Sequence, residues 1–148
     1  MFRPSTRARY ALRAMIELAL HEGDGPTLLR EIAAAQHVSP KYLEQIAIPL
    51  RSAGLLSAER GPRGGYELAR PAADITAAEI VEAVEGPLKL LECVPQPSAC
   101  DRSEACAARC LWESLGRAMS TVLSATTLLK LCEQQRAAEA SEVPSYQI

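Results

Sequence analysis

Residues 37–68 read HVSPKYLEQIAIPLRSAGLLSAERGPRGGYEL, and the order of signals within them decides the fold. Ser39 followed by Pro40 marks a helix start: a serine side chain accepts from a free first-turn amide, and proline suits a position whose N–H has no partner. From there Leu43, Ile46, Ala47 and Leu50 make one apolar stripe at helical spacing, leaving Lys41, Glu44, Gln45 and Ile48 outward. Pro49 removes one backbone bond, so a kink or an early end is expected there. LLSAERGPRGGYEL then predicts two short strands about a Gly/Pro turn.

Upstream, Ala11, Ala14, Met15, Leu18 and Ala19 form the stripe of a helix from Ser5 to about Leu20, which HEGDGP ends. Thr27 is placed to cap a short helix, LLREIAAAQ. A short helix, a turn, a second helix with a polar outer face and then a hairpin is the order of a winged helix-turn-helix. Downstream, Thr76 and Glu79 form a capping box with Ile75 and Ile80 as its hydrophobic staple, and that helix stops at Gly86–Pro87. Leu111, Leu115, Ala118, Val122, Ala125, Leu129 and Cys132 alternate steps of four and three, a seam that needs a partner helix. Ser124-Ala-Thr-Thr can break the helix and cap a last short one, so the seam holds to about Ala125. The expected fold is mainly α with a small β wing: a winged helix-turn-helix domain over 1–90, a cysteine-rich loop over 91–110, a dimerisation helix over 111–135 and a frayed tail over 136–148.

At 148 residues, 48% apolar and 23% charged, the chain has room for one domain and an appendage. Arg13 and Glu17 break the first apolar stretch too early for an export signal, and no run approaches a membrane span, so a soluble cytoplasmic protein is expected with no membrane partner. Net charge is −2, but residues 1–70 carry ten Lys/Arg against seven Asp/Glu, and residues 71–148 six against eleven. Only the first half has an electrostatic reason to approach phosphate.

A helix in the major groove presents its N-terminal side chains to base edges, while the hairpin of a winged domain reaches adjacent phosphate or minor groove. Ser39, Lys41, Tyr42, Glu44 and Gln45 stand where such groups belong, and Arg60 and Arg63 charge the hairpin tip. Gln45 suits adenine; Glu44 can accept from cytosine N4 and is repelled by phosphate, which selects among sites at a cost in affinity. The plain alternative is a protein-interaction module with solvated arginines.

Five cysteines is an odd count, and without an export signal there is no case for a disulfide framework. Cys93, Cys100, Cys106 and Cys110 fall within eighteen positions, ECVPQPSACDRSEACAARCLW, in a stretch without periodicity. Thiolates are soft ligands and a flexible loop can wrap them around an inorganic core, which favours an iron–sulfur cluster. Zinc accepts four thiolates too, but its structural sites prefer closer pairs than these gaps of six, five and three. Free thiols remain the third reading. Cys132 lies on the apolar seam and is expected in the core. His21 and His37 read as surface groups, and Trp112 as packing beside the loop. No nucleophile–base pair, phosphate loop or HExxH helix points to an enzyme.

RARYALRAM, VSPKYLEQ, RGPRGGY, ITAAEIVEAVEG and C-x6-C-x5-C followed by LW together resemble the Rrf2 family of bacterial regulators, over about residues 1–132, and within it the branch that works through iron–sulfur clusters. The resemblance implies a homodimeric winged-helix repressor or activator whose grip on a pseudo-palindromic double-stranded DNA operator answers to a cluster. It puts Glu44, Gln45 and Arg60 at positions that contact or discriminate operator DNA. Lys41 matches a contact position with a different residue type, and Pro49 has parallels in the family. The departure is the fourth ligand. The branch places a histidine three residues after the third cysteine, where this chain has Arg109; other branches recruit a partner carboxylate, matched here by Arg9, or a histidine, matched by Gln36. Cys110 is the obvious substitute, at a helix mouth where the macrodipole and Arg109 both favour a thiolate, and its plain alternative is a packed helical cysteine. Four thiolates suit the two-iron cluster, favoured here, and the four-iron one. Two rival functions stand beside this one: a same-fold regulator whose thiols sense oxidant directly, and a cluster-carrying electron-transfer or zinc-binding interaction protein.

Overall fold

A computed structural model describes residues 4–62 and 64–142. Helix α1 (Thr6–Leu20) starts at Ser5, whose Oγ accepts from Ala8 N–H at 3.0 Å. Then come α2 (Leu29–Ala35), α3 (Pro40–Ser52), strands β1 (Leu56–Glu59) and β2 (Gly65–Leu68), α4 (Ala77–Glu85), α5 (Ala107–Ala125) and α6 (Leu128–Glu142). Helix α1 lies at the centre and touches α2, α3, β2, α4 and α6. Its buried stripe of Ala11, Ala14, Met15, Leu18 and Ala19 meets Ile32, Leu43, Ile46, Leu50, Leu55, Ile75 and Ile80 in one core. The same side chains that recur at helical spacing in the sequence are those removed from water.

Several local expectations are met and three need correction. Ser39 Oγ accepts from Tyr42 N–H at 3.1 Å and caps α3 as read. Thr76 and Glu79 form the capping box, with Ile75 and Ile80 both fully buried beside it. Thr27, by contrast, does not cap α2; its backbone pairs with Tyr66, N–H to O at 2.9 Å and O to N–H at 2.8 Å, which adds a one-residue third strand beside β2. Pro49 does not end α3, which continues to Ser52, and the carbonyl it leaves without a helical donor belongs to exposed Gln45.

The third difference concerns the C-terminal region. Helix α5 begins at Ala107, so Cys110 stands in its first turns and not on the loop. The break at Ser124-Ala-Thr-Thr is real: Thr126 is extended, Thr127 Oγ1 accepts from Lys130 N–H at 3.2 Å, and α6 turns back onto the N-terminal domain. Leu128 and Cys132 are 0% and 2% exposed there, and Cys132 Sγ faces Ile16 O at 3.8 Å. Burial pushes the Cys132 thiol up. Helix α6 runs through Glu142, beyond the point where fraying is expected; residues 143–148 lie outside the described residues.

At the start of α4, burial raises the Glu79 carboxyl, but the Thr76 backbone amide, the Arg70 guanidinium and the Thr76 hydroxyl outweigh it and hold that carboxyl below the usual carboxylate range. A depressed folded value means that this stabilisation is present above the ordinary glutamate range and lost as pH falls through the folded value. Glu79→Gln is therefore expected to flatten the acid limb of a stability-versus-pH profile. Leu128→Ala should lower the free energy of urea unfolding by about 2–5 kcal/mol, the cost of emptying a closed core site. A loss near zero would make α6 a separate appendage.

Candidate nucleic-acid interface and thiol loop

Helices α2 and α3 pack against each other, and the stripe that buries Leu43, Ile46, Ala47 and Leu50 leaves Lys41, Glu44, Gln45 and Ile48 exposed. Tyr42 takes a different role from its neighbours. It is half-buried, with its ring edge-on to Tyr10 of α1 at 6.0 Å between centroids, so it braces the start of α3. Ser39 spends its hydroxyl on the cap. Lys41, Glu44 and Gln45 remain as a continuous polar face along the first turns of α3.

The wing follows directly. Strands β1 and β2 pair antiparallel from Leu56 with Leu68 to Glu59 with Gly65, and Arg60 stands exposed at the turn; Arg63 lies outside the described residues. Two glycines make this geometry. A side chain on Gly64 would strike the Glu59 carbonyl. One on Gly65, whose φ is +156°, would meet Thr27 O at 2.5 Å and Thr27 C at 2.7 Å. The hairpin is thereby pressed against the entry to α2.

Cys93 and Cys106 are half-buried, Cys100 and Cys110 exposed, and none is in a disulfide. Between α4 and α5 the chain forms only short 3-10 turns at Pro97–Ala99 and Ser103–Ala105. Among the described residues no three His, Cys, Asp or Glu side chains are gathered as a ready-made metal site. In kind and number, however, the donors fit a thiolate-held centre: four unpaired thiols, all with some solvent access, two of them at the N-terminal end of α5, whose first turn carries no acidic residue. His21 and His37 are exposed, the former 3.6 Å from Glu17 and 3.5 Å from Asp24, and neither nears the loop cysteines in a metal-ligating group. Gln36 accepts from Arg13 Nε at 2.7 Å and donates to Glu17 at 2.9 Å. Arg9 lies over the Tyr10 ring at 5.2 Å.

At its other end α5 meets the N-terminal domain through a connection invisible in the sequence. Ala77 N–H donates to Thr126 O, and Leu128 N–H to Ile75 O, both at 2.8 Å. The outer face of α5 is unpartnered: Leu111 and Val122 are each 64% exposed, and Leu115 and Trp112 are about as open as surface residues. Trp112 therefore sits on this face more than in a pocket beside the loop. No helix of the described residues is long and apolar enough to cross a membrane.

Residues 4–134 match the Rrf2 family, described as an iron-dependent transcriptional regulator. The chain is 43% identical over 124 residues to the HTH-type transcriptional regulator CymR of Bacillus subtilis, covering 84% of this chain and 85% of that one. The solved structure of that protein, the global cysteine regulator, superposes with a TM-score of 0.77 at 40% identity over 90% of this chain and 98% of its own. The IscR regulator of Xenorhabdus nematophila is 34% identical over 95% of this chain and 85% of its own. The T. potens IscR structure matches with a TM-score of 0.76 at 34% identity, over 98% and 95% of the two chains.

Gly65→Ala is expected to open the contact with Thr27 and lower the thermal midpoint by several degrees, about what 1–3 kcal/mol of backbone strain produces in a domain of this size. The same change at exposed Gly54, whose φ is +71° but which has nothing within reach of a new side chain, should cost less.

Proposed function

This chain belongs to the Rrf2 family of DNA-binding transcriptional regulators, not enzymes, and from that premise we propose that it acts in the cytoplasm as a homodimer whose operator binding is controlled by an iron–sulfur cluster held by Cys93, Cys100, Cys106 and Cys110. One observation carries the reading. Cys106 and Cys110 stand at one end of α5, and the Cys93 carbonyl is bonded to Arg109 in its first turn, while the other end of that helix is hydrogen-bonded to the first turn of α4 in the N-terminal domain. A cluster would supply a centre responsive to iron, oxidant or nitric oxide at the loop; the two-iron type is favoured. Cys110, beside the place a family histidine occupies, is the fourth ligand in this reading.

The apolar outer face of α5 is the surface for the second copy, since single helices seldom leave side chains such as Leu111 and Val122 in water. Lys41, Glu44 and Gln45 read base edges, and Ser39, Tyr42, Arg60 and Arg63 support or contact the backbone of a pseudo-palindromic site. Whatever orders or frees the loop acts on α5, and through Thr126–Leu128 on the placement of the two reading helices. A coupling of about 1–3 kcal/mol changes operator affinity about 5- to 150-fold, enough for a switch.

A second reading draws on the CymR likeness. A protein similar to a global cysteine regulator can use exposed thiols such as Cys100 and Cys110 directly, through sulfenic acid or a disulfide. The absorption spectrum of protein prepared without oxygen separates the two.

Protein purified anaerobically is expected to be coloured and to contain iron and sulfide, and the Cys93, Cys100, Cys106 triple Ala variant to be colourless. Equal iron and sulfide in both would remove the cluster. Arg60→Ala and Lys41→Ala should each weaken operator binding in a gel shift at fixed salt; for a lost phosphate contact the salt slope should fall by about one. Unchanged affinity would move the interface elsewhere.

A further inference from the structure

Arg109 occupies the third position of α5, where a positive charge faces the positive end of the helix dipole and is locally unfavourable. Its partners explain its presence. Nε donates to Cys93 O at 2.9 Å and Nη2 approaches Val94 O at 3.5 Å, while the backbone N–H of the same residue donates to Cys106 O at 3.2 Å. The remaining hydrogen bonds of the loop are local: Val94 to Leu91, Gln96 to Glu92, Ala99 to Gln96, Cys100 to Pro97, Ser103 to Cys100 and Ala105 to Arg102. Among the described residues, the Arg109 side chain alone hydrogen-bonds the two ends of the loop together, across sixteen positions of sequence.

We propose that Arg109 is the positioning residue of the thiol loop: its guanidinium fastens the Cys93–Val94 backbone to the first turn of α5 and so keeps Cys93 beside the helix end that carries Cys106 and Cys110. The role deepens the cluster reading and rests on it for its purpose, but the clamp itself is made by the chain's own groups. Closing the loop in advance removes part of the entropy that gathering its thiols would otherwise cost. It also makes the start of α5 and the conformation at Cys93 one unit, so that a change at either is felt by the other. Lysine keeps the charge and can donate to one of the carbonyls but lacks the planar fork that spans two.

The test uses the full-length iron-free chain without oxygen, as wild type, Arg109→Ala and Arg109→Lys, with circular dichroism confirming that each is folded. Each is pulsed with limiting iodoacetamide and every cysteine is quantified by mass spectrometry, alongside amide exchange at Val94 and Gln96. Arg109→Ala should speed Cys93 alkylation about three- to tenfold, what a charged hydrogen bond yields once discounted for partial exposure to solvent. Val94 and Gln96 should exchange faster, Cys100 should be unaffected, and Arg109→Lys should recover part of the difference. Folded Arg109→Ala protein with unaltered Cys93 reactivity and exchange would overturn the clamp. Iron and sulfide content of the wild type is measured in parallel: a wild type that takes up neither, with Cys93 still released in Arg109→Ala, sinks the cluster and upholds the clamp. A wild type that binds both, with Cys93 unaltered in Arg109→Ala, does the reverse.

Discussion

Two backbone hydrogen bonds between Ile75–Ala77 and Thr126–Leu128, each 2.8 Å, decide what the C-terminal third of the chain can do. They hold the elbow between α5 and α6 against the first turn of α4. Each bond contributes only about 1 kcal/mol net, but they fix the point at which α6 turns back and sinks Leu128 and Cys132 into the core, which adds roughly 1.5–3 kcal/mol for the leucine. Without the elbow, α5 would be an apolar rod on a loose linker. With it, α5 leaves the domain at one set angle, one end fastened to the N-terminal domain and the other carrying Cys106 and Cys110.

Much of this was legible in the sequence because it follows from local chemistry. Ser39-Pro40, the Thr76–Glu79 box with its isoleucine staple and the paired strands around RGPRGG all specify their own geometry within a few residues. So does the apolar stripe of α3, which sorts Lys41, Glu44 and Gln45 from Leu43 and Ile46 without any knowledge of neighbours. Where the reading went astray, a distant partner had intervened. Thr27 looks like a cap, but Tyr66 claims its backbone.

The thiol region was the least legible, for two physical reasons. The first turn of α5, Ala-Ala-Arg-Cys, carries helix formers but faces outward, so periodicity first registers at Leu111 and the helix start is read four residues late. The loop's shape depends on a side chain bonding to carbonyls sixteen positions away, and no spacing rule encodes that. Its cysteines, in contrast, announce thiol chemistry by kind and crowding, whether as metal ligands or as free thiols.

The pressing of Gly65 against Thr27 has an effect on how sequence can be discriminated. Because the hairpin is pinned to the entrance of α2, and α2 to α3, the wing and α3 cannot move independently of each other. Each such module is a stiff template. In the homodimer proposed above, tolerance would then reside in the mutual placement of the two modules, so the number of base pairs between half-sites would become the variable on which an operator is accepted or refused.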